Sequence, residues 1–103
     1  MTINIQYVKM KTSESMTEFV TKKLHKISKK YEWVINIDVF FKMENDPTEK
    51  GHICEMEVSL PGPKIFATSN EKNFEMAVKE TIKDIETQLK KRKGKFTDQN
   101  ISS

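Results

Sequence analysis

The sequence predicts a two-layer α/β (α+β) sandwich in the order β-α-β-β-β-α, with a four-stranded mixed sheet and two helices packed on one of its faces. Three observations predict it. Four short segments alternate apolar and polar residues with period two, two longer segments carry apolar residues at spacings of three and four, and Pro and Gly punctuate the chain between the last three strands. Two amphipathic helices need an apolar surface to bury against, and one face of a sheet supplies it.

The first strand is "TINIQYVK" (2–9), where Ile3, Ile5 and Tyr7 share a face. Ser13 suits a helix N-cap, because its hydroxyl can accept an early backbone N–H, and Glu14 suits the positive end of the helix dipole. From there Met16, Phe19, Val20, Leu24, Ile27 and Tyr31 draw one apolar stripe along a helix over about 14–30. Lys22, Lys26 and Lys29 lie opposite that stripe, with Lys23 and Lys30 on its flank. "VINIDVFFKME" (34–44) alternates through Ile35, Ile37, Val39, Phe41 and Met43, while Phe40 adds an unassigned apolar side chain to the other face. "NDPTEKG" (45–51) is turn chemistry. "HICEMEVSL" (52–60) sets Cys54, Met56, Val58 and Leu60 against Glu55 and Glu57, "PGP" (61–63) closes the next hairpin, and "KIFATS" (64–69) makes a shorter fourth strand. Phe74, Ala77, Val78, Thr81, Ile82, Ile85 and Leu89 form the second helical stripe, over about 71–93, and Gly94 is expected to end that helix. The crossover through the first helix sets strands one and two parallel, and the hairpins set the others antiparallel. One domain, 1–96, followed by a short polar disordered tail, 97–103, is the expected organisation.

Composition bounds the class. The chain has 103 residues, 36% of them hydrophobic and 32% charged, which describes a single soluble globular domain. No apolar run approaches the ~18–20 residues of a membrane span, and "MTINIQYVKMKTSES" lacks a signal-peptide core. A single cysteine, Cys54, excludes an internal disulfide framework and suits a reducing cytosol. A cytoplasmic protein without a membrane partner is therefore expected.

The net charge of +3 conceals a strong segregation. "TKKLHKISKK" (21–30) and "KKRKGK" (90–95) hold ten of the eighteen Lys and Arg and none of the fifteen Asp and Glu. The remainder carries eight basic residues against fifteen acidic ones, a net of −7. Two cationic segments on an acidic body point to a polyanion partner. If both helices lie on one sheet face, Lys22, Lys23, Lys26, Lys29 and Lys30 can share a surface with Lys90, Lys91, Arg92, Lys93 and Lys95. Lysine outnumbers arginine there, which favours point-charge contacts to phosphate over bidentate reading of bases.

Catalytic constellations are missing from the pattern. His25 stands among lysines and His52 beside Gly51, neither with a partner that suggests a metal or a triad. Cys54 falls on an apolar strand face, where a thiol is buried and inert. Glu55 and Glu57 read as a solvent-facing row, and Gly51, Gly62 and Gly94 are too scattered for a phosphate-cradling loop. Tyr31 and Trp33 at the helix-to-strand junction suit a hydrophobic plug more than a base-stacking platform. No enzyme, cofactor, metal or small-molecule substrate is expected.

"TEFVTKKLHKISK", the β-α-β-β-β-α order and "QLKKRKGK" resemble the ribosome hibernation promoting factor and ribosome-associated inhibitor family, also described as sigma-54 modulation proteins, over about residues 1–96. The resemblance implies a cytoplasmic stress and stationary-phase protein, monomeric off the ribosome. It would bind the small ribosomal subunit through rRNA and ribosomal proteins, occupy the mRNA and tRNA channel, inhibit translation and store the ribosome. Its cations map to Lys22, Lys23 and Lys26 on the first helix and to Lys91, Lys93 and Lys95 on the second, with Gln88 and Leu89 in register. Two departures are visible: Asp84 and Thr87 stand where the family carries Lys and Arg, and Glu75 stands at a Tyr position. On a helical wheel Asp84 and Thr87 share the sector of Lys91, whereas Lys79, Lys83 and Lys90 form a stripe about 100° round. The length fits the family's short form, and the brief tail leans towards the hibernation-promoting type. The alternative reading is a regulatory interaction module whose basic helices bind an acidic protein.

Overall fold

All six expected elements are present, in the expected order, in a computed structural model that describes residues 1–102, with side chains described through Lys95. They are β1 (Thr2–Tyr7), α1 (Glu14–Lys30), β2 (Asn36–Met43), β3 (His52–Ser59), β4 (Ile65–Glu71) and α2 (Phe74–Ser102). The sheet runs β1-β2-β3-β4. β1 and β2 are parallel, and the other two pairings are antiparallel. Register makes the period-two pattern into a core. Ile3, Ile37, Val58 and Ile65 form one row across the sheet, and Ile5, Val39, Met56 and Ala67 form the next. Val20, Leu24 and Ile27 of α1 and Ala77, Val78, Ile85 and Leu89 of α2 pack against these rows. Each fully buried Leu, Ile, Val or Phe contributes about 1.5–3 kcal/mol relative to remaining in water, so the rows and the two stripes hold the layers together.

Local chemistry sets the element ends. Lys9 adopts a positive φ of 56° just beyond β1. The Tyr7 hydroxyl reaches Thr17 Oγ1 at 2.9 Å and the Ser13 carbonyl at 2.9 Å, tying strand to helix. Ser13 is the N-cap of α1, its Oγ accepting the Met16 N–H at 3.2 Å. In the 45–51 turn Gly51, at φ 122°, donates its N–H to Asn70 Oδ1 at 2.7 Å. A Cβ on Gly51 would collide with the Glu44 carbonyl, so only glycine fits there.

The second helix differs from expectation at both ends. It begins at Phe74 because Asn73 precedes it as a cap, its Oδ1 accepting the Met76 N–H at 2.9 Å. Gly94 does not end it. A glycine terminates a helix by turning left-handed, and Gly94 is not among the residues with positive φ. The helix runs on to Ser102. The tail expected at 97–103 falls on residues whose side chains lie outside the described part.

Candidate nucleic-acid interface

Packing two helices on one sheet face leaves a groove between their outer surfaces. It measures about 400 Å³ and is lined by Lys23 of α1 and by Lys79, Lys83 and Lys90 of α2, with Ile82, Glu86 and Thr87 among them. At the C-terminal end of α1 the two basic segments meet over Tyr31. Lys30 Nζ lies 5.7 Å and Lys93 Nζ 5.9 Å from the centre of that ring, within cation–π range. Lys30 also reaches Glu86 Oε2 at 3.5 Å. Tyr31 is itself buried, with Trp33 edge-on at 5.8 Å, so this aromatic pair plugs the end of the core.

The ten cations expected from sequence thus divide by position. Lys23, Lys30, Lys90 and Lys93 converge on the groove and the ring beside it. Lys22, Lys26 and Lys29 are exposed on α1. Lys91 and Lys95 lie on the side of α2 that faces β4, beside Ile65 and Gln88. Arg92 holds the β3–β4 hairpin: Nη1 donates to the Pro61 carbonyl and Nη2 to the Pro63 carbonyl, both at 2.9 Å. Gly62 sits between them at φ 92°, and a Cβ there would lie 3.0 Å from Arg92 Nη1.

Counting basic runs misses Lys79 and Lys83. Their signal is the helical stripe they share with Lys90, not a cluster in sequence. Asp84 and Thr87 also separate. Thr87 faces the groove, whereas Asp84 lies beside β4, where its Oδ1 accepts from Gln88 Nε2 at 3.2 Å. The same Gln88 Nε2 donates to the Phe66 carbonyl at 2.9 Å and covers the β4 edge.

The opposite face of the sheet has a different character. Phe40 and Phe66 border a hollow of about 480 Å³, with Glu55 and Glu57 between them. Glu55 pairs with Lys42, and Glu57 pairs with Lys64 at 2.8 Å, an interaction that raises the Lys64 pKa above its ordinary value. These carboxylates are neutralised in a surface row. Cys54 is fully buried, and burial pushes its thiol up to about 12. His52 packs edge-on against Phe74 at 4.8 Å, and its Nδ1 is buried with no partner among the described residues. Among the described residues no cluster of His, Cys, Asp and Glu could hold a metal ion, and no helix is long and apolar enough to cross a membrane.

The chain is similar to known proteins both in sequence family and in fold. The family described as "Sigma 54 modulation protein / S30EA ribosomal protein" matches residues 3–97. A ribosomal subunit interface protein from Coxiella burnetii shares 29% identity, with 91% of this chain and 99% of that one covered at a TM-score of 0.81. The N-terminal domain of Protein Y from Thermus thermophilus shares the fold at 20% identity and a TM-score of 0.75, over 88% of this chain and 98% of that one. No curated protein matches the chain.

Proposed function

Because the chain belongs to the sigma 54 modulation protein / S30EA ribosomal protein family, a family of ribosome-associated binding factors and not of enzymes, we propose that it binds the small ribosomal subunit and holds it inactive. It contacts rRNA in the channel that mRNA and tRNA use, excludes both by volume, and stores ribosomes in the cytoplasm under stress or in stationary phase. The observation that carries this reading is the convergence of lysines from both helices: a groove with Lys23 of α1 and Lys79, Lys83 and Lys90 of α2, continued by Lys30 and Lys93 over Tyr31. Folded rRNA presents phosphates at high density, and lysines fixed along two rigid helices match them by position, not by base identity. The exposed row of Lys22, Lys26 and Lys29 widens the same cationic surface.

Cosedimentation tests it. The protein is expected to travel with small subunits through a sucrose gradient at low salt. Lys22→Glu combined with Lys26→Glu should release it while leaving its circular dichroism and melting temperature unchanged, since both side chains are exposed. Wild-type protein that stays at the top of the gradient refutes ribosome binding and favours an acidic protein partner. A folded double variant that still cosediments refutes the α1 contact.

A further inference from the structure

The open face of the sheet carries two aromatic rings that the core does not use. Tyr31 and Phe41 belong to the core, and Tyr7, Phe19, Trp33 and Phe74 pack against it. Phe40 and Phe66 do neither, and Phe66 is 63% exposed. Both rings border the hollow of about 480 Å³, together with Glu55, Glu57 and Thr68.

Register sets each ring against a carboxylate. Phe40 of β2 stands opposite Glu55 of β3, and Phe66 of β4 stands opposite Glu57. Side chains opposite each other on one sheet face have Cβ atoms about 4.5–5.5 Å apart, so ring and carboxylate can hold one group between them. Glu55 and Glu57 are two residues apart on β3, which separates the two pairs by about 7 Å. Charge reinforces the arrangement. Asp38 stands beside Glu57 in the same row, and Asp84 of α2 adds a carboxylate at the rim of the hollow. Lys42 pairs with Glu55 and Lys64 with Glu57, so Asp38, Glu55, Glu57 and Asp84 face two lysines on a chain of net charge +3.

We infer that this face docks an extended segment of another protein that carries arginines at alternate positions, Arg-x-Arg. A guanidinium is the group that both halves of each pair attract. Its plane stacks on a ring, and its parallel N–H donors match a carboxylate. An extended peptide turns every second side chain the same way, at the spacing of Glu55 and Glu57, so two arginines fill two seats. The resident lysines do not forestall it. Their side chains are 44% and 55% exposed, and such surface pairs yield to a bidentate guanidinium. Charge also selects among occupants. The carboxylates repel RNA phosphate, and a second copy offers a single arginine, Arg92, already bonded to its own β3–β4 hairpin. The inference is independent of the ribosomal reading, which concerns the helical layer on the other side of the sheet.

Titration of the isotopically labelled full chain with a short capped threonine peptide bearing Arg-x-Arg, followed by amide NMR shifts, tests it. Saturable shifts are expected at Phe40, Glu55, Glu57 and Phe66, with Lys79 and Lys83 of the groove unmoved. Adjacent arginines point to opposite sides of an extended chain, so a peptide with that spacing should bind about tenfold more weakly. A peptide with lysine at both positions should also weaken, for want of a plane and a fork. Phe40→Leu with Phe66→Leu keeps the carboxylates and removes the ring faces, and should weaken binding about tenfold. Glu55→Gln with Glu57→Gln should abolish the saturable shifts. Neither pair belongs to the core cluster, and circular dichroism checks that both variants fold. A wild-type sheet face that the peptide does not shift, a folded double variant that binds like wild type, or equal binding of either control peptide would each overturn the proposal. Shifts at Phe40 and Phe66 with an oligouridylate in place of the peptide would assign the face to single-stranded RNA and overturn it too.

Discussion

Arg92 donates to two carbonyls of the β3–β4 hairpin, Pro61 and Pro63, which takes two of its five N–H donors and holds the guanidinium on the hairpin side of α2, away from the groove. Its planar fork spans both oxygens at once, which a lysine ammonium on a flexible stem does not reproduce. Arg92 is only partly buried and both bonds are exposed, so solvent competition holds the stabilisation below the range of a buried charged donor. Arg92→Ala and Arg92→Lys are each expected to lower unfolding free energy by about 1 kcal/mol in urea titrations, with ribosome cosedimentation at the wild-type level. Lys90→Glu, in the groove, should do the reverse. In sequence "KKRKGK" reads as five equivalent cations. What distinguishes Arg92 from its neighbours is a contact with a loop thirty-one residues upstream, which no local pattern encodes. Cys54 is the opposite case. Its place in an apolar alternation identifies a buried, inert thiol from sequence, and its pKa of about 12 agrees.

At the scale of elements, periodicity makes the strands and helices legible, and partners decide where they stop. β4 extends to Glu71 because His52 of β3 stands opposite it in the ladder, and strand length is here a property of the pair. Ile35 and Met43 continue the apolar alternation of β2 beyond or at its ends, yet they are 60% and 59% exposed because the core does not reach that far. Glycine after a helical stripe favours a left-handed cap, which is why the sequence points to Gly94 as the stop of α2. It serves instead as an interior helical residue, and a Cβ added there would meet nothing within 4 Å. Interior glycine costs about 0.8–1.0 kcal/mol relative to alanine. Gly94→Ala should therefore raise the helical signal at about 222 nm and slow amide exchange in the last turns of α2. A loss of helicity would instead mean that Gly94 caps the helix in a left-handed conformation that alanine does not readily adopt.

The whole molecule is polar in its charge. Its helical layer exposes lysines on both helices, while the open sheet face carries Asp38, Glu55 and Glu57, partly paired with Lys42 and Lys64. The element order alone implies that both basic segments lie on one side, because both helices must cover the same apolar rows. The groove itself is not legible in sequence, since Lys79 and Lys83 join it only through the way α2 rests against α1. Salt dependence separates these contributions. Each phosphate contact adds about 0.7–0.9 to the slope of log affinity against log salt, because each releases condensed counterions. Six to ten contacts would weaken binding about 10³–10⁵-fold between 50 and 200 mM salt, by analogy with duplex DNA. Replacing Lys79, Lys83 and Lys90 together by Gln should flatten that slope by about 2–3 when affinity for isolated small subunits is measured at fixed magnesium. Glu55→Gln with Glu57→Gln, on the far side of the sheet, should leave it unchanged. If the groove variant loses affinity at constant slope, those lysines support the surface without touching phosphate, and the contacts lie instead along the exposed row of α1.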